Sequence, residues 1–307
     1  MANGSSWLHR AADSDIWWSF KSSSLTVVAA VVTVLIIAIA FLSPLLAPHT
    51  PFDPGSLSLS DGLKPPAWMT DGDWSFVLGT DDQGRDVLSS IMYGTRLSLV
   101  VGLASVIVSM AIGITLGLVS GYVGGTTDAV IMRIADVQLT FPAILVALLI
   151  DGVVRGLISV KRHDEIALFV IIGAIGLSFW VQYARTIRGS VLVEKNKEYV
   201  QAARVIGLSP TLIMVRHVLP NVTGPVLVIA TINLGLAIIS EATLSFLGVG
   251  LPSTQPSLGT LIRLGNELLQ SGEWWITVFP GVTLAALVLA VNLLGDWLRD
   301  ALNPKLR

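Results

Sequence analysis

The side chains that usually carry enzyme chemistry are few in this sequence, and they do not stand at catalytic spacings. The chain has no cysteine, so disulfides and thiolate metal sites are excluded. No HExxH motif, nucleophile elbow or pair of carboxylates on one predicted helix is present, which argues against a membrane hydrolase. The histidines lie outside the apolar stretches or at their edges, at His9, His49, His163 and His217. We therefore predict no catalytic residue in this chain.

Nucleotide and metal sites are equally poorly supported. No glycine loop of the GxxxxGK[ST] type occurs, so any ATP must bind to another chain. Three aspartates near Gly84 resemble a calcium loop, but their spacing departs from the EF-hand pattern and no distal glutamate follows. Asp86 fits better as the N-cap of a short interfacial helix, because apolar residues follow it on one helical face. We predict no metal site.

Composition points to a membrane protein. Charged residues make up 13% of the 307 residues, about half the usual share of a soluble domain, and 53% are hydrophobic. The mean hydropathy is +0.74. The net charge is −2 and no basic cluster is interleaved with aromatic residues, so no nucleic-acid partner is expected. The polar, acidic N-terminus is unlike a signal peptide, and we expect the first apolar segment to be a retained anchor.

Six apolar stretches predict an all-α polytopic membrane protein with six transmembrane helices. The first runs from Leu25 to Leu42 and would reach roughly 27 Å as a helix, close to the hydrocarbon thickness of a bilayer. The others cover 97–125, 128–150, 166–184, 221–246 and 274–294. We divide the chain into an N-terminal cytoplasmic segment (1–24), a first transmembrane helix (25–47), a periplasmic loop with the interfacial helix (48–96), a five-helix core (97–297) that includes a cytoplasmic loop (188–221), and a cytoplasmic tail (298–307).

Loop charges orient these spans. With the N-terminus inside, twelve of the 19 lysines and arginines fall in inner segments, six of them in or just before the stretch Glu194–Asn221. A smaller cluster, Arg155, Lys161 and Arg162, lies in the predicted polar loop 151–165 and favours the opposite orientation of the chain in the membrane. The balance predicts that both termini are cytoplasmic.

Within the predicted spans, a few residues have special positions. Gly113, Gly117 and Gly121 recur every four residues, which predicts close packing against a neighbouring helix. Arg133 and Asp136 are expected to pair at the start of span three. Ionisable and polar groups inside a membrane are candidates for a transport path. The candidates here are Glu241, which alternatively reaches the interface or caps a turn, Asn233, and Pro142, which is expected to kink span three.

The stretch Glu194–Asn221, called the 194–221 segment below, is the longest polar interruption in the C-terminal half. Its pattern predicts two short helices joined by a turn at Gly207, with Ser209 as N-cap and Pro210 at the first helical position. We expect the second helix to end near Leu219, because Pro220 has no amide hydrogen to donate. In the first helix, an apolar stripe is expected at Tyr199, Ala203 and Ile206. The neighbouring alanines, Ala202 and Ala203, should let a partner's backbone come close.

The spacing Q-A-A-x3-G-x9-H-x-L-P from Gln201 to Pro220 resembles the EAA loop of ABC-importer permeases. In that family the loop docks into a groove on the ATPase subunit. Gln201 stands where the family most often has glutamate. The resemblance implies that coupling residues lie at Glu198, Tyr199, Gln201, Ala202, Ala203, Arg204, Gly207, Leu208, Ser209, Leu219 and Pro220.

Other stretches resemble the C-type permease family of dipeptide and oligopeptide ABC importers, over roughly residues 20–307. They include LGTDDQGRDVLSSIMYGTRLSLVVG, GYVGGTTDAVIMRIADVQLTFPAILVALL, EATLSFLGVG and NLLGDWLRDALNPKLR. The resemblance implies a type I ABC-importer permease fold in a bacterial inner membrane. It also implies a second permease subunit, two ATPase subunits that hold ATP and Mg²⁺, an extracytoplasmic substrate-binding protein, contact with membrane lipid, and no cofactor on this chain.

Two alternatives stay open at the level of the sequence. Relatives in this family also carry nickel chelates, glutathione and other small solutes, and nothing in these residues selects among the cargoes. An ion-coupled secondary transporter would instead require several acids or broken helices near the midplane and two similar halves. Glu241 and the Arg133–Asp136 pair are the only such candidates, and no inverted repeat is evident.

Overall fold

A computed structural model describes residues 15–301 apart from 54, 56, 159 and 253. His9, the tail beyond 301 and the side chains of 15–18 and 160–164, which include Lys161, Arg162 and His163, lie outside the described part. The described residues are mostly helical and form no strand beyond an isolated bridge between Thr80 and Asp86. The α-helices are α1 (Asp15–Ser22), α2 (Ser24–Phe41), α3 (Ser43–Leu46), α4 (Val87–Val123), α5 (Gly125–Leu139), α6 (Ala143–Leu157), α7 (Val160–Glu194), α8 (Glu198–Val205), α9 (Pro210–Ile213), α10 (Leu219–Val222), α11 (Gly224–Phe246), α12 (Leu258–Leu268) and α13 (Trp275–Ala301).

Five helices are long and apolar enough to cross a membrane, namely α2, α4, α7, α11 and α13. A sixth span is broken: α5 and α6 meet at 94°, so the chain turns sharply where the sequence predicted a kink at Pro142. Pro142 is the N-cap residue of α6, where its missing N–H removes no helical hydrogen bond. Counting the bent pair as one broken span gives the six predicted spans.

Two predicted boundaries are wrong. The expected interfacial helix after Asp86 is not separate but forms the first turns of α4, whose 37 residues reach roughly 55 Å. Asp86 is confirmed as its N-cap and accepts a hydrogen bond from the Ser89 amide at 2.9 Å. The predicted polar loop 151–165 is largely helical, because α6 continues to Leu157 and α7 begins at Val160. Asp151 and Arg155 are one turn apart on α6 and form a 2.6 Å ion pair, so these charges do not end the helix.

Helices α4 and α7 pack together more extensively than any other described pair. The three glycines spaced by four residues lie at this contact. A Cβ added to Gly117 would lie 2.5 Å from the Ala184 carbonyl oxygen, and one at Gly121 would lie 2.8 Å from Cβ of Val191. At Gly113 an added Cβ would overlap the Tyr183 side chain. Backbone approach this close excludes any side chain larger than hydrogen without a shift of one helix.

The described residues of 47–86 form a cap over the N-terminal end of α4, where the His49 amide donates to the Ser89 hydroxyl at 3.1 Å. The carboxylate of Asp81 accepts from the buried Arg85 guanidinium at 2.6 Å and from two backbone amides, so arginine and backbone already occupy its oxygens. Trp275 at the start of α13 donates its indole N–H to the Thr80 carbonyl at 3.1 Å. In the described residues no three acidic or histidine side chains are grouped to hold a metal ion.

Candidate functional site

The 194–221 segment lies at the C-terminal end of α4, opposite the cap. Its local structure follows the sequence prediction: Gly207 has φ +87° after α8, and the Ser209 side chain accepts from the Leu212 amide at the start of α9. A positive φ favours glycine because a Cβ would crowd the following carbonyl. The predicted glycine turn and N-cap are confirmed.

The predicted apolar stripe on α8 is wrong. Val200 and Ala203, three residues apart, are the buried positions and pack with Ile213 and Val218. Tyr199 is 38% exposed and Ile206 is 77% exposed, because the helix ends before Gly207 and the turn carries Ile206 outward. Ala202 is exposed while Ala203 is buried, so the two alanines do not form one surface.

The outer surface of the segment carries apolar side chains among charged ones. Val205 is 89% exposed, and Ile206 follows it directly at the end of α8. Leu212 and Val215 are also exposed, whereas Leu208 is half-buried. Along the chain, Gly207 separates Val205 and Ile206 from Leu212 and Val215, and a Cβ added to Gly207 would meet no other atom within 4 Å. We call these four exposed apolar residues, Val205, Ile206, Leu212 and Val215, the apolar knob.

A hydrogen-bond cluster fixes the start of α8. The Tyr199 hydroxyl bonds to the Glu194 carboxylate at the end of α7 and lies 3.2 Å from the His217 carbonyl. Asn221 donates its amide to the same carbonyl at 2.7 Å and to the Tyr199 oxygen at 3.1 Å. Lys197 pairs with Glu194 at 2.9 Å. Burial, followed by the bond to Glu194, raises the pKa of Tyr199 to about 12, so the phenol stays protonated.

The other end of α8 is attached to α4. The Arg204 guanidinium lies 5.2 Å from the ring centroid of Tyr122, a cation–π distance. Lys195 donates to the Gly121 carbonyl at 2.7 Å, and the Gln201 amide donates to the Lys195 carbonyl at 3.2 Å. Gln201 and Glu198 are exposed, and in this chain Gln201 uses its amide within the segment. The segment therefore contacts α4 and α7 as well as the chain leading to α11.

The predicted helix end at Leu219 is wrong, because helical structure passes through Pro220. Residues Met214–Val218 form a π-helix, and the Leu219 amide donates to the Met214 carbonyl five residues back. Pro220 then lies in the first turn of α10, where its missing N–H is tolerated. π-Helical turns are rare and are often found at functional sites. Leu219 is half-buried and Pro220 exposed.

Ion pairs attach the broken span to α7. Arg188 binds Asp128 with two nitrogens, at 2.5 and 2.6 Å, and Arg185 binds Asp136 at 2.6 Å. The expected pair between Arg133 and Asp136 is wrong, since the structure pairs Asp136 with Arg185 on a different helix. The three-residue spacing in the sequence favoured a pair between Arg133 and Asp136. Only the packing of α5 against α7 brings Arg185 close to Asp136.

Glu241 lies inside the chain, not at an interface. It is 0% exposed, and its oxygens accept from Ser98 on α4 at 2.8 Å and from Ser245 at 2.7 Å. The Leu258 amide at the start of α12 donates to the Ser98 hydroxyl at 3.3 Å. The carboxylate thus joins α4, α11 and α12. Its complete burial argues against the alternative in which Glu241 reaches the interface, while capping of a turn and a role in a transport path stay predictions.

The other predicted path residues are not brought together with Glu241. Asn233 is buried on α11, two turns before Glu241, and Pro142 is exposed at the break between α5 and α6. Sequence reasoning missed Glu194, Asn221 and Tyr122 as anchors of the 194–221 segment. It also missed the apolar knob, although two adjacent β-branched residues before a glycine in a polar stretch were a usable signal.

Comparisons with known proteins place this architecture in a family. A family model described as "Binding-protein-dependent transport system inner membrane component" matches residues 113–307, and one described as "N-terminal TM domain of oligopeptide transport permease C" matches residues 14–66. The chain is 37% identical over 293 residues to the dipeptide transport system permease protein DppC of Haemophilus influenzae, covering 95% of both chains. It is 36% identical to the glutathione transport system permease protein GsiD of Pectobacterium atrosepticum, covering 95% of this chain and 91% of that one.

A solved structure shares the fold. The MetNI methionine ABC transporter, in an inward-facing form, matches with a TM-score of 0.55 and 19% identity, over 70% of this chain and 96% of that one. At this identity the likeness concerns the fold alone, that of a type I ABC-importer permease. Together with the family matches, it shows that the chain belongs to the inner-membrane components of binding-protein-dependent transport systems, as a multi-pass permease of an ABC importer.

Proposed function

We propose that this chain is one of two permease subunits of a peptide importer and that the 194–221 segment couples it to ATPase subunits. The ATPases would bind ATP and Mg²⁺, and this chain would perform no covalent chemistry. Opening and closing of the ATPase dimer would move the segment, and the attached spans would turn the shared cavity from one side of the membrane to the other. An extracytoplasmic substrate-binding protein would deliver the cargo.

The apolar knob is the observation that carries this proposal. Val205 and Ile206 expose most of their side chains on a segment that also holds Lys197 and Arg204, which is unfavourable for an isolated water-facing loop. Burying one such side chain fully contributes about 1.5–3 kcal/mol, so a partner's groove that covered both would gain substantial affinity. The charged residues around the knob would form the polar rim of that interface.

The anchors of α8 support transmission of movement. Tyr199 joins α8 to the end of α7 through Glu194, and Arg204 joins it to α4 through Tyr122. Asn221 links the same cluster to the chain that leads into α11. A segment held at both ends moves as one body with the helices that hold it, and so a push on the knob reaches three spans.

The docking surface is tested by replacing Val205 and Ile206 with serine and purifying the tagged chain from its native membrane. We expect the ATPase subunits to be lost while the second permease is retained. Leu59→Ser is the matched control, because Leu59 is 82% exposed on the cap at the opposite end of α4. Retention of the ATPases by the double variant would contradict the proposed surface.

Membrane orientation is the second point to test. We propose that both termini and the 194–221 segment are cytoplasmic and the cap is periplasmic. Because the chain has no cysteine, single cysteines at Val205 and Leu59 can be labelled without background. In intact spheroplasts an impermeant maleimide should label the cysteine at 59 and should reach the cysteine at 205 only after permeabilisation. The reverse pattern would invert the topology and remove the ATPase surface from the cytoplasm.

The transport path is the third part of the proposal. We place it between this chain and the second permease, with Glu241, Asn233 and Pro142 as its candidate residues. Asn233 and Glu241 are enclosed within this chain, so any contact with cargo requires a conformation in which α11 separates from α4. Cross-linking from a cysteine at Pro142, which is exposed, to the second permease tests whether the broken span lies at the shared path.

The proposed cargo is a dipeptide or short oligopeptide. The dipeptide relative and the oligopeptide description of the N-terminal family model support this class. Glutathione is a second candidate, because the glutathione permease relative is similar to the same extent. Competition between labelled dialanine and glutathione for uptake by cells that express the whole importer distinguishes the two.

A further inference from the structure

The Tyr199 hydroxyl has one proton but two acceptors within reach. One is the Glu194 carboxylate, which is nearly buried at the end of α7, and the other is the His217 carbonyl in the π-helix. A phenol has a single proton, so the Tyr199 hydroxyl donates fully to only one of the two acceptors at a time. The Glu194 bond is the shorter of the two here, which places the proton on that side.

The two acceptors belong to different helices, and each helix connects to a different span. Glu194 is the last residue of α7, whereas His217 precedes Pro220 and the path into α11. Asn221 donates to both the Tyr199 oxygen and the His217 carbonyl, so it keeps these two groups adjacent whichever way the hydroxyl points. Turning the hydroxyl about its C–O bond exchanges one hydrogen bond for the other, and a small shift of α8 towards the π-helix would favour the bond to His217 without leaving a donor unpaired.

We propose that Tyr199 is a positioning residue that gives α8 two hydrogen-bonded orientations. In one the Tyr199 hydroxyl donates to the Glu194 carboxylate, and in the other it donates to the His217 carbonyl. The first orientation ties α8 to α7, and the second ties it to the π-helix and α11. A two-position contact of this kind converts a continuous push into a discrete change of helix arrangement. The inference rests on the proposed coupling role of the segment, but its geometry can be tested on this chain alone.

The direct test measures the distance between spin labels on α8 and α7. Val205 and Val193 are both exposed, at 89% and 66%, and cysteines there would be the only ones in the chain. In the purified chain we expect a narrow main distance. Glu194→Gln, which weakens the acceptor on α7, should populate a second discrete distance at least several-fold more. Tyr199→Phe removes both bonds and should broaden the distribution.

Tyr93→Phe is the matched control, because it removes a tyrosine hydroxyl near the opposite end of α4 but keeps the ring against Phe52. Its distance distribution should overlay that of the parent chain. An unchanged distribution in both Tyr199→Phe and Glu194→Gln would overturn the inference. A uniform broadening in all three variants would also overturn it, since Tyr199 would then act as general packing and not as a two-position contact.

A functional readout separates this inference from the coupling proposal. In the reconstituted importer, Tyr199→Phe should keep its ATPase subunits but hydrolyse several-fold more ATP for each cargo molecule moved, and Tyr93→Phe should not. If the parent chain binds no ATPase at all, the coupling proposal fails while the distance measurement still decides the role of Tyr199. If ATPases bind and Tyr199→Phe transports with the normal ratio, the positioning role fails alone.

Discussion

The region around α12 and the 194–221 segment both depend on glycine, but for opposite reasons. Gly259 on α12 lies against the Ala242 backbone of α11, and an added Cβ would overlap it. Gly207 has open space around it and needs only its positive φ. Near α12 the buried Glu241 carboxylate joins three helices, whereas the 194–221 segment exposes the apolar knob. One region is closed within the chain, and the other is the exposed surface that we propose contacts the ATPase subunits.

The largest loss of stability should come from adding a side chain at Gly259, where α12 lies against the α11 backbone. Gly259→Val places a branched side chain against backbone atoms of Ala242 that cannot move aside, so α12 must separate from α11. Overpacking of this kind costs about 1–3 kcal/mol and occasionally more. We expect loss of folded protein by fluorescence-detected size exclusion. Gly173→Val on α7, where a Cβ meets nothing within 4 Å, should express normally, and equal yields of the two variants would contradict the comparison.

A smaller loss of stability is expected at Glu241. Glu241→Ala leaves the Ser98 and Ser245 hydroxyls buried without their shared acceptor, which costs about 1–3 kcal/mol. The melting temperature should fall clearly, and Glu241→Gln, which keeps an acceptor, should recover most of it. A normal melting temperature with abolished uptake in Glu241→Ala would instead assign the residue to the transport path and weaken the view of this region as an internal anchor.

At Gly207 we expect a large loss of uptake with only a small loss of stability. Gly207→Val forces a β-branched residue into a left-handed conformation, which costs about 1–2 kcal/mol confined to an exposed turn. We expect near-normal expression and melting temperature but strongly reduced uptake, because a changed turn at Gly207 alters the direction of the exposed side chains of the apolar knob. Gly207→Asn tolerates this conformation better and should retain most of the uptake. Wild-type uptake by Gly207→Val would separate the segment from coupling.

The smallest expected effect concerns pH. The pKa of Tyr199 is raised to about 12 from the unfolded value near 10, so folding favours the protonated phenol. Its contribution to stability is complete below pH 10 and is lost as the pH rises from about 10 to about 12. The Tyr199 geometry should therefore be constant between about pH 6 and about pH 9. The difference in tyrosinate absorbance between the parent chain and Tyr199→Phe follows this titration, and a midpoint near 10 would contradict the hydrogen bond to Glu194.

Much of the fold was accessible from the sequence because its signals are local. Uncharged stretches of about 20 residues predict spans, and the predicted number agrees once α5 and α6 are counted as one broken span. Gly207, Ser209 and Asp86 were placed correctly because turns and caps depend on one or two residues. The motif around Gln201 also identified the family that the comparisons show.

Other features were decided by contacts between distant residues. Hydropathy alone cannot show that α7 begins at Val160, because a charged turn can be helical when its charges pair or reach water. The partner of Asp136, the enclosure of Glu241 and the anchors of Tyr199 join residues that are up to 143 positions apart. The sequence by itself thus determined the number of spans, the turn chemistry and the family. Only the tertiary structure decided which charges pair and which apolar side chains stay exposed, because helix packing selects each neighbour.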